Sequence, residues 1–153
     1  FDGIVFNINF ALMTSKTYFP YQIVRSIRVP PSPVSRIVYV DTIRTSRMPG
    51  QANRILNATI GYEKKKFSGR VSLTYQGDAL AFVGAFPEAD GFSKEFLRWD
   101  ISCQYKIYSN LAVMANVNNL TSLPEGSFIS LRSSPTREEY FGWTTDIGFR
   151  YEF

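Results

Sequence analysis

A chain of 153 residues with 44% apolar and 16% aromatic content suits one domain and is too apolar for disorder. Its formal charge is +4, but the basic residues are spread over a loop, a turn and alternate positions of extended segments, which argues against a nucleic-acid partner. The absence of histidine removes the Ser-His and Cys-His nucleophile pairs and the commonest ligand of catalytic zinc, which excludes most hydrolase mechanisms without forbidding an enzyme; no enzymatic role and no cofactor is expected.

The single cysteine, Cys103, excludes an internal disulfide and reads as a small apolar side chain. No apolar run approaches the ~18 residues of a spanning helix, so any membrane crossing must use strands. The leader that an exported chain requires is expected to lie upstream of Phe1.

From Gly3 to Ser15 the chain alternates, with Ile4, Phe6, Ile8, Phe10 and Leu12 on one face and Asn7 and Asn9 on the other, which predicts a first strand. Thr17 to Gly50 is broken by Pro20, Pro30, Pro31, Pro33 and Pro49 and reads as a long loop, with at most a short strand at Ile37 to Ile43. That loop is basic: Arg25, Arg28, Arg36, Arg44 and Arg47 face only Asp41 as a nearby opposite charge. They are candidates for an extracellular ligand loop or for contact with anionic outer-leaflet phosphates; the blander reading has them stacked on neighbouring loops.

A second strand over Asn53 to Glu63 is turned by Lys64-Lys65-Lys66 into a third that begins at Phe67. In the third, Ser68, Arg70, Ser72, Thr74, Gln76 and Asp78 are all polar, which suits a wet lumen better than a sheet core. Gly84 to Ser93 reads as a loop. Leu97 to Tyr108 then alternates most cleanly, Leu97, Trp99, Ile101, Cys103, Tyr105 and Ile107 against Arg98, Asp100, Ser102, Gln104, Lys106 and Tyr108. A turn at Ser109-Asn110 leads to a fifth strand through Val117, a polar loop over Ser122 to Thr136, and a sixth strand in which Phe141, Trp143, Thr145, Ile147, Phe149, Tyr151 and Phe153 share one face.

Short turns thus alternate with long loops, as in bacterial barrels with short periplasmic turns and long outer loops. Tyr62, Phe67, Tyr105 and Tyr151 fall near one level, with Tyr75, Trp99 and Trp143 about eight to ten residues higher. At ~3.3 Å per residue and a tilt near 45°, that is roughly 19 to 23 Å, close to the distance between aromatic girdles.

The run Ala115-Asn116-Val117-Asn118-Asn119-Leu120-Thr121 and the run Glu139-Tyr140-Phe141-Gly142-Trp143 through Phe149-Arg150-Tyr151-Glu152-Phe153 resemble the carboxyl end of a TonB-dependent outer-membrane receptor. Ile60-Gly61-Tyr62-Glu63 and Phe67-Ser68-Gly69-Arg70-Val71-Ser72-Leu73 resemble the preceding hairpin. The resemblance covers about Gln51 to Phe153 well, and Phe1 to Thr17 less specifically.

Six strands are too few to close a membrane barrel, so another part must complete it. The resemblance implies an all-β, antiparallel transmembrane barrel in which residues 1 to 153 are the last six of 22 strands, with the plug domain and earlier strands outside this sequence. It further implies a location in the bacterial outer membrane and energy-coupled uptake of a scarce metal chelate, vitamin complex or oligosaccharide. The expected partners are the lipid bilayer and lipopolysaccharide, the receptor's own plug, a periplasmic TonB-type coupling protein and the barrel assembly machinery. Phe149, Tyr151 and Phe153 resemble the assembly signal, and they also suit a lower girdle anchor. Arg70, Arg98, Asp100, Lys106, Asp146 and Arg150 are candidates for plug or lumen contacts, with cross-strand pairing as the alternative. A homo-oligomeric channel or exporter with six strands per chain is the competing architecture.

Overall fold

The computed structural model describes residues 2–28, 30 and 34–153. In chain order the strands are β1 (Ile4–Leu12), β2 (Thr17–Arg28), β3 (Ser35–Ser46), β4 (Arg54–Lys64), β5 (Phe67–Gln76), β6 (Ala79–Phe82), β7 (Gly91–Ser93), β8 (Phe96–Lys106), β9 (Leu111–Asn118), β10 (Glu125–Ile129), β11 (Pro135–Glu139) and β12 (Thr144–Tyr151). One 3-10 turn, Pro87–Ala89, separates β6 from β7.

A six-stranded antiparallel sheet runs in the order β1-β4-β5-β8-β9-β12. These are the six predicted strands, paired in sequence order. Because residues opposite each other across a ladder share a face, the register fixes which side chains line up. Phe6, Ile60, Val71, Ile101, Val117 and Thr145 form one row. The next residues along, Val5, Gly61, Arg70, Ser102, Asn116 and Asp146, form a row on the opposite face. One face of the whole sheet is therefore apolar and the other mostly polar.

At one end the connections are tight. Lys65 takes a positive φ of 42° between β4 and β5, and the Leu111 carbonyl accepts from Ile107 N and Tyr108 N at 2.9 and 3.2 Å between β8 and β9. At the other end the three long connections are themselves folded, contrary to the expected loops. β2 and β3 pair over their full length as a separate ribbon, and β11-β10-β7-β6 form a four-stranded sheet from the second and third connections.

Pro20, an expected breaker, pairs with Ile43 inside the ribbon. A two-stranded ribbon leaves each strand one open edge, where a missing N–H costs no ladder bond. Pro31 and Pro33 lie outside the described residues. The last strand is also shorter than expected: Gly142, at φ 70°, turns the chain before β12, and the residues up to Glu139 belong to β11.

The buried apolar residues are concentrated around the four-stranded sheet, where Leu80 is fully enclosed, Ala52, Ala79 and Phe128 are buried, and the Phe92 and Phe128 rings stack at 5.2 Å. No layer covers the six-stranded sheet among the described residues. On its apolar face Phe6 is 66% exposed, Ile147 71% and Phe149 73%. Burying each such side chain is worth about 1.5–3 kcal/mol, so a covering for this face is worth on the order of 20 kcal/mol, more than the net stability of an ordinary domain.

Candidate functional site

The six residues expected at a plug or lumen surface, Arg70, Arg98, Asp100, Lys106, Asp146 and Arg150, all fall on the polar face of the six-stranded sheet. They do not form one cluster. Arg70 leans across β4 to pair with Glu63, and Gly61 makes room: a Cβ there would lie 3.1 Å from Arg70 Cγ. Arg150 reaches Glu152 at 4.0 Å, while Lys106 and Asp146 have no ion-pair partner among the described residues. Cross-strand pairing thus involves Glu63, which the candidate set did not include.

Arg98 and Asp100 sit near the end of β8 that faces the folded connections. Arg98 Nε donates to Asp100 Oδ2 at 3.1 Å, and Asn119 N donates to the other carboxylate oxygen at 2.9 Å. Asn119 has a φ of 55°, a conformation that asparagine adopts more readily than most residues. Its side-chain amide donates to the carbonyls of Gly142 at 2.8 Å and Leu123 at 3.4 Å, and its Oδ1 accepts from Leu123 N at 3.1 Å. The amide therefore satisfies rim backbone groups.

These bonds frame a cleft of about 260 Å³ between β8, the β9–β10 connection and the approach to β12. Phe96, Phe141, Leu123 and Pro124 give it apolar walls, and Arg98, Glu125, Asn118 and Thr144 bring polar groups. The terminal nitrogens of Arg98 and the side chains of Glu125, Asn118 and Thr144 have no hydrogen-bond partner among the described residues. Phe96 and Glu125 were not singled out from sequence, and Phe141, expected on the apolar face of the last strand, instead lines this cleft. Phe96 lies two positions before Arg98 on β8 and shares its face, whereas Glu125 and Phe141 come from opposite ends of the connection between β9 and β12, which no local spacing signals.

The basic residues of the first connection divide into two groups. Arg44 turns inward to Asp90, a buried carboxylate whose Oδ1 also accepts from Gly84 N at 2.8 Å. Arg47 pairs with Asp78 and lies over the Phe92 ring, 5.2 Å from its centroid. Asp78 also receives Arg132 at 2.9 Å, and Arg132 reaches Glu95 at 2.9 Å. Burial alone would push the Asp78 carboxyl up, but the Arg47 hydrogen bond and the charges of Arg47 and Arg132 outweigh it and hold the group below its ordinary value. Arg25, Arg28 and Arg36, toward the far end of the ribbon, are exposed and form no ion pair among the described residues.

Phe149 and Tyr151 project from the apolar face of β12, and Tyr151 meets Phe153 edge-on at 5.1 Å. Tyr62 and Phe67 approach at 6.4 Å near the same end of the sheet.

Comparison with protein-family models, with curated proteins and with solved structures gives no match. Function therefore has to be argued from the two faces, the folded connections and the rim cleft.

Proposed function

We propose that this chain is wall and outer rim of a bacterial outer-membrane barrel, the carboxyl-terminal six strands of a 22-stranded, plugged TonB-dependent receptor that imports a scarce substrate. The observation that carries the reading is the bare apolar face that crosses all six strands opposite a polar one. Lipid outside and a wet or plugged lumen inside supply what each face lacks.

Three further features support it. Among the described residues the outer edges of β1 and β12 are unpaired, and open edges in hydrocarbon cost several kcal/mol for each unsatisfied group, so in this reading further strands join them. Tight turns lie at one end of the sheet and folded connections at the other. Phe67 and Tyr75 mark the two aromatic levels on β5, eight positions apart, about 26 Å along the strand.

In this reading the folded connections face outward and help to bind substrate, and the polar face meets the plug, which a periplasmic coupling protein rearranges. The test is the intact mass of the denatured polypeptide from detergent-extracted outer membranes. A mass several times that of 153 residues, with these peptides at its carboxyl end, is expected. A folded membrane species whose chains are no longer than this segment contradicts the receptor and leaves a homo-oligomeric channel.

A further inference from the structure

Resting on that receptor reading, we infer that the rim cleft is a subsite for a neutral, hydroxyl-rich ring, so that the substrate is a neutral oligosaccharide and not an anionic metal chelate. Phe96 and Phe141 supply two flat apolar surfaces in one cleft. A pyranose ring has the complementary character, with C–H groups on its faces and hydroxyls around its edge. Aromatic faces suit the first, and planar polar side chains suit the second because each offers paired donors or acceptors.

Those polar groups line the cleft and, among the described residues, keep hydrogen-bonding capacity to spare. Arg98 has its terminal nitrogens available, Glu125 offers only acceptors, Asn118 offers both, and the Thr144 hydroxyl does either. Arg98 is oriented before any ligand arrives: its Nε is held by Asp100, and Asp100 is held by Asn119 N. The walls are tied together as well, because the Asn119 amide bonds both Leu123 and Gly142. A site built this way loses little conformational freedom on binding.

Charge decides between the substrate classes. Arg98 and Glu125 are the two charged residues lining the cleft, and they are opposite in sign. An anionic chelate would find one arginine already paired with Asp100 and a second carboxylate in Glu125, with no net attraction. A neutral polyol can use both groups at once, donating to Glu125 and accepting from Arg98. The volume of about 260 Å³ accommodates one sugar unit, with the cleft open for the chain to continue.

The test uses the whole receptor, purified in detergent, with maltohexaose, cellohexaose and chitohexaose titrated calorimetrically, and with ferric citrate as the anionic probe. At least one glycan is expected to bind, with an affinity unchanged between low and high salt. Phe96→Ala and Phe141→Ala should each raise that Kd about ten-fold or more. Heat-modifiable migration of both variants must match the parent, so that a folding defect is separated from loss of the site.

Three results overturn the inference: none of the glycans binds, the phenylalanine variants bind a glycan as well as the parent does, or ferric citrate binds and is the ligand that those variants lose. The intact-mass measurement is independent of ligand. A full-length outer-membrane chain that ignores all three glycans would remove the sugar subsite and leave the receptor standing.

Discussion

The side-chain amide of Asn119 donates to the Gly142 carbonyl at 2.8 Å, joining the end of β9 to the residue at which the chain turns into β12. Both residues have positive φ, so the left-handed turns that open and close the connection between β9 and β12 are tied to each other. The same asparagine fixes Asp100 and Leu123, so a single residue sets the width of the rim cleft.

Asn119→Ala removes the amide and leaves partly buried backbone groups without partners. A loss on the order of 1–3 kcal/mol is expected. Urea unfolding of the protein in liposomes measures it, and an unchanged midpoint would show that water replaces the amide at no cost.

Glycines in two places should respond differently to a methyl group. At Gly84 a Cβ would overlap the backbone of Ala89, and Gly84 also bonds Asp90 and Arg44, so Gly84→Ala should loosen the buried Arg44–Asp90 pair. At Gly69 the nearest atom is Phe67 Cζ at 2.8 Å, the far end of a side chain that can rotate away. Limited proteolysis of the β2–β3 ribbon should accelerate in Gly84→Ala and stay near the parent rate in Gly69→Ala.

Acid should release the clamp between the first and later connections. Asp78 is held below its ordinary value of about 3.9 in the folded connections and returns to it when they separate. Its contribution is fully present above that value and is lost as pH falls through the depressed folded value. Hydrogen-exchange protection of β6 and β7, corrected for the intrinsic rate, should be flat from pH 7 to 5 and fall below about pH 4. Asp78→Asn should weaken protection at neutral pH and flatten the dependence.

Ile101 and Ser102 are neighbours on β8 with opposite faces. If Ile101 meets hydrocarbon near mid-depth, Ile101→Arg should cost about 2–4 kcal/mol, while Ser102→Arg on the polar side should cost much less. Folded fraction on urea titration in liposomes compares them. Equal effects would remove the distinction between lipid and lumen sides.

The six-stranded sheet was legible because its information is local: a period of two, turn residues at Lys64 to Lys66, and the order of strands. Even the row joining Arg70 to Asp146 follows from parity once neighbouring strands pair in sequence order. The ribbon and the four-stranded sheet were not legible. β7 has three residues and pairs with β10, more than thirty positions later, so neither shows a periodic pattern by itself. Pro20 argued against a strand that a single open edge permits. The site was legible by face and not by partner: Arg98 and Asp100 were named together and Phe96 shares their face of β8, but Glu125 and Phe141 reach them only through tertiary pairing.

The central claim is that the apolar face meets lipid, and spin labels along β12 test it most directly. In the protein reconstituted in liposomes, with Cys103→Ser, a label is placed at each position from Thr144 to Tyr151 in turn. Collision rates with oxygen and with a water-soluble nickel complex are then compared. Oxygen access should peak at Thr145, Ile147, Phe149 and Tyr151 and drop between them, giving a period of two. Loss of that period, or an apolar face shielded from both reagents, would mean that protein and not lipid covers the sheet, and the barrel-wall account would be wrong.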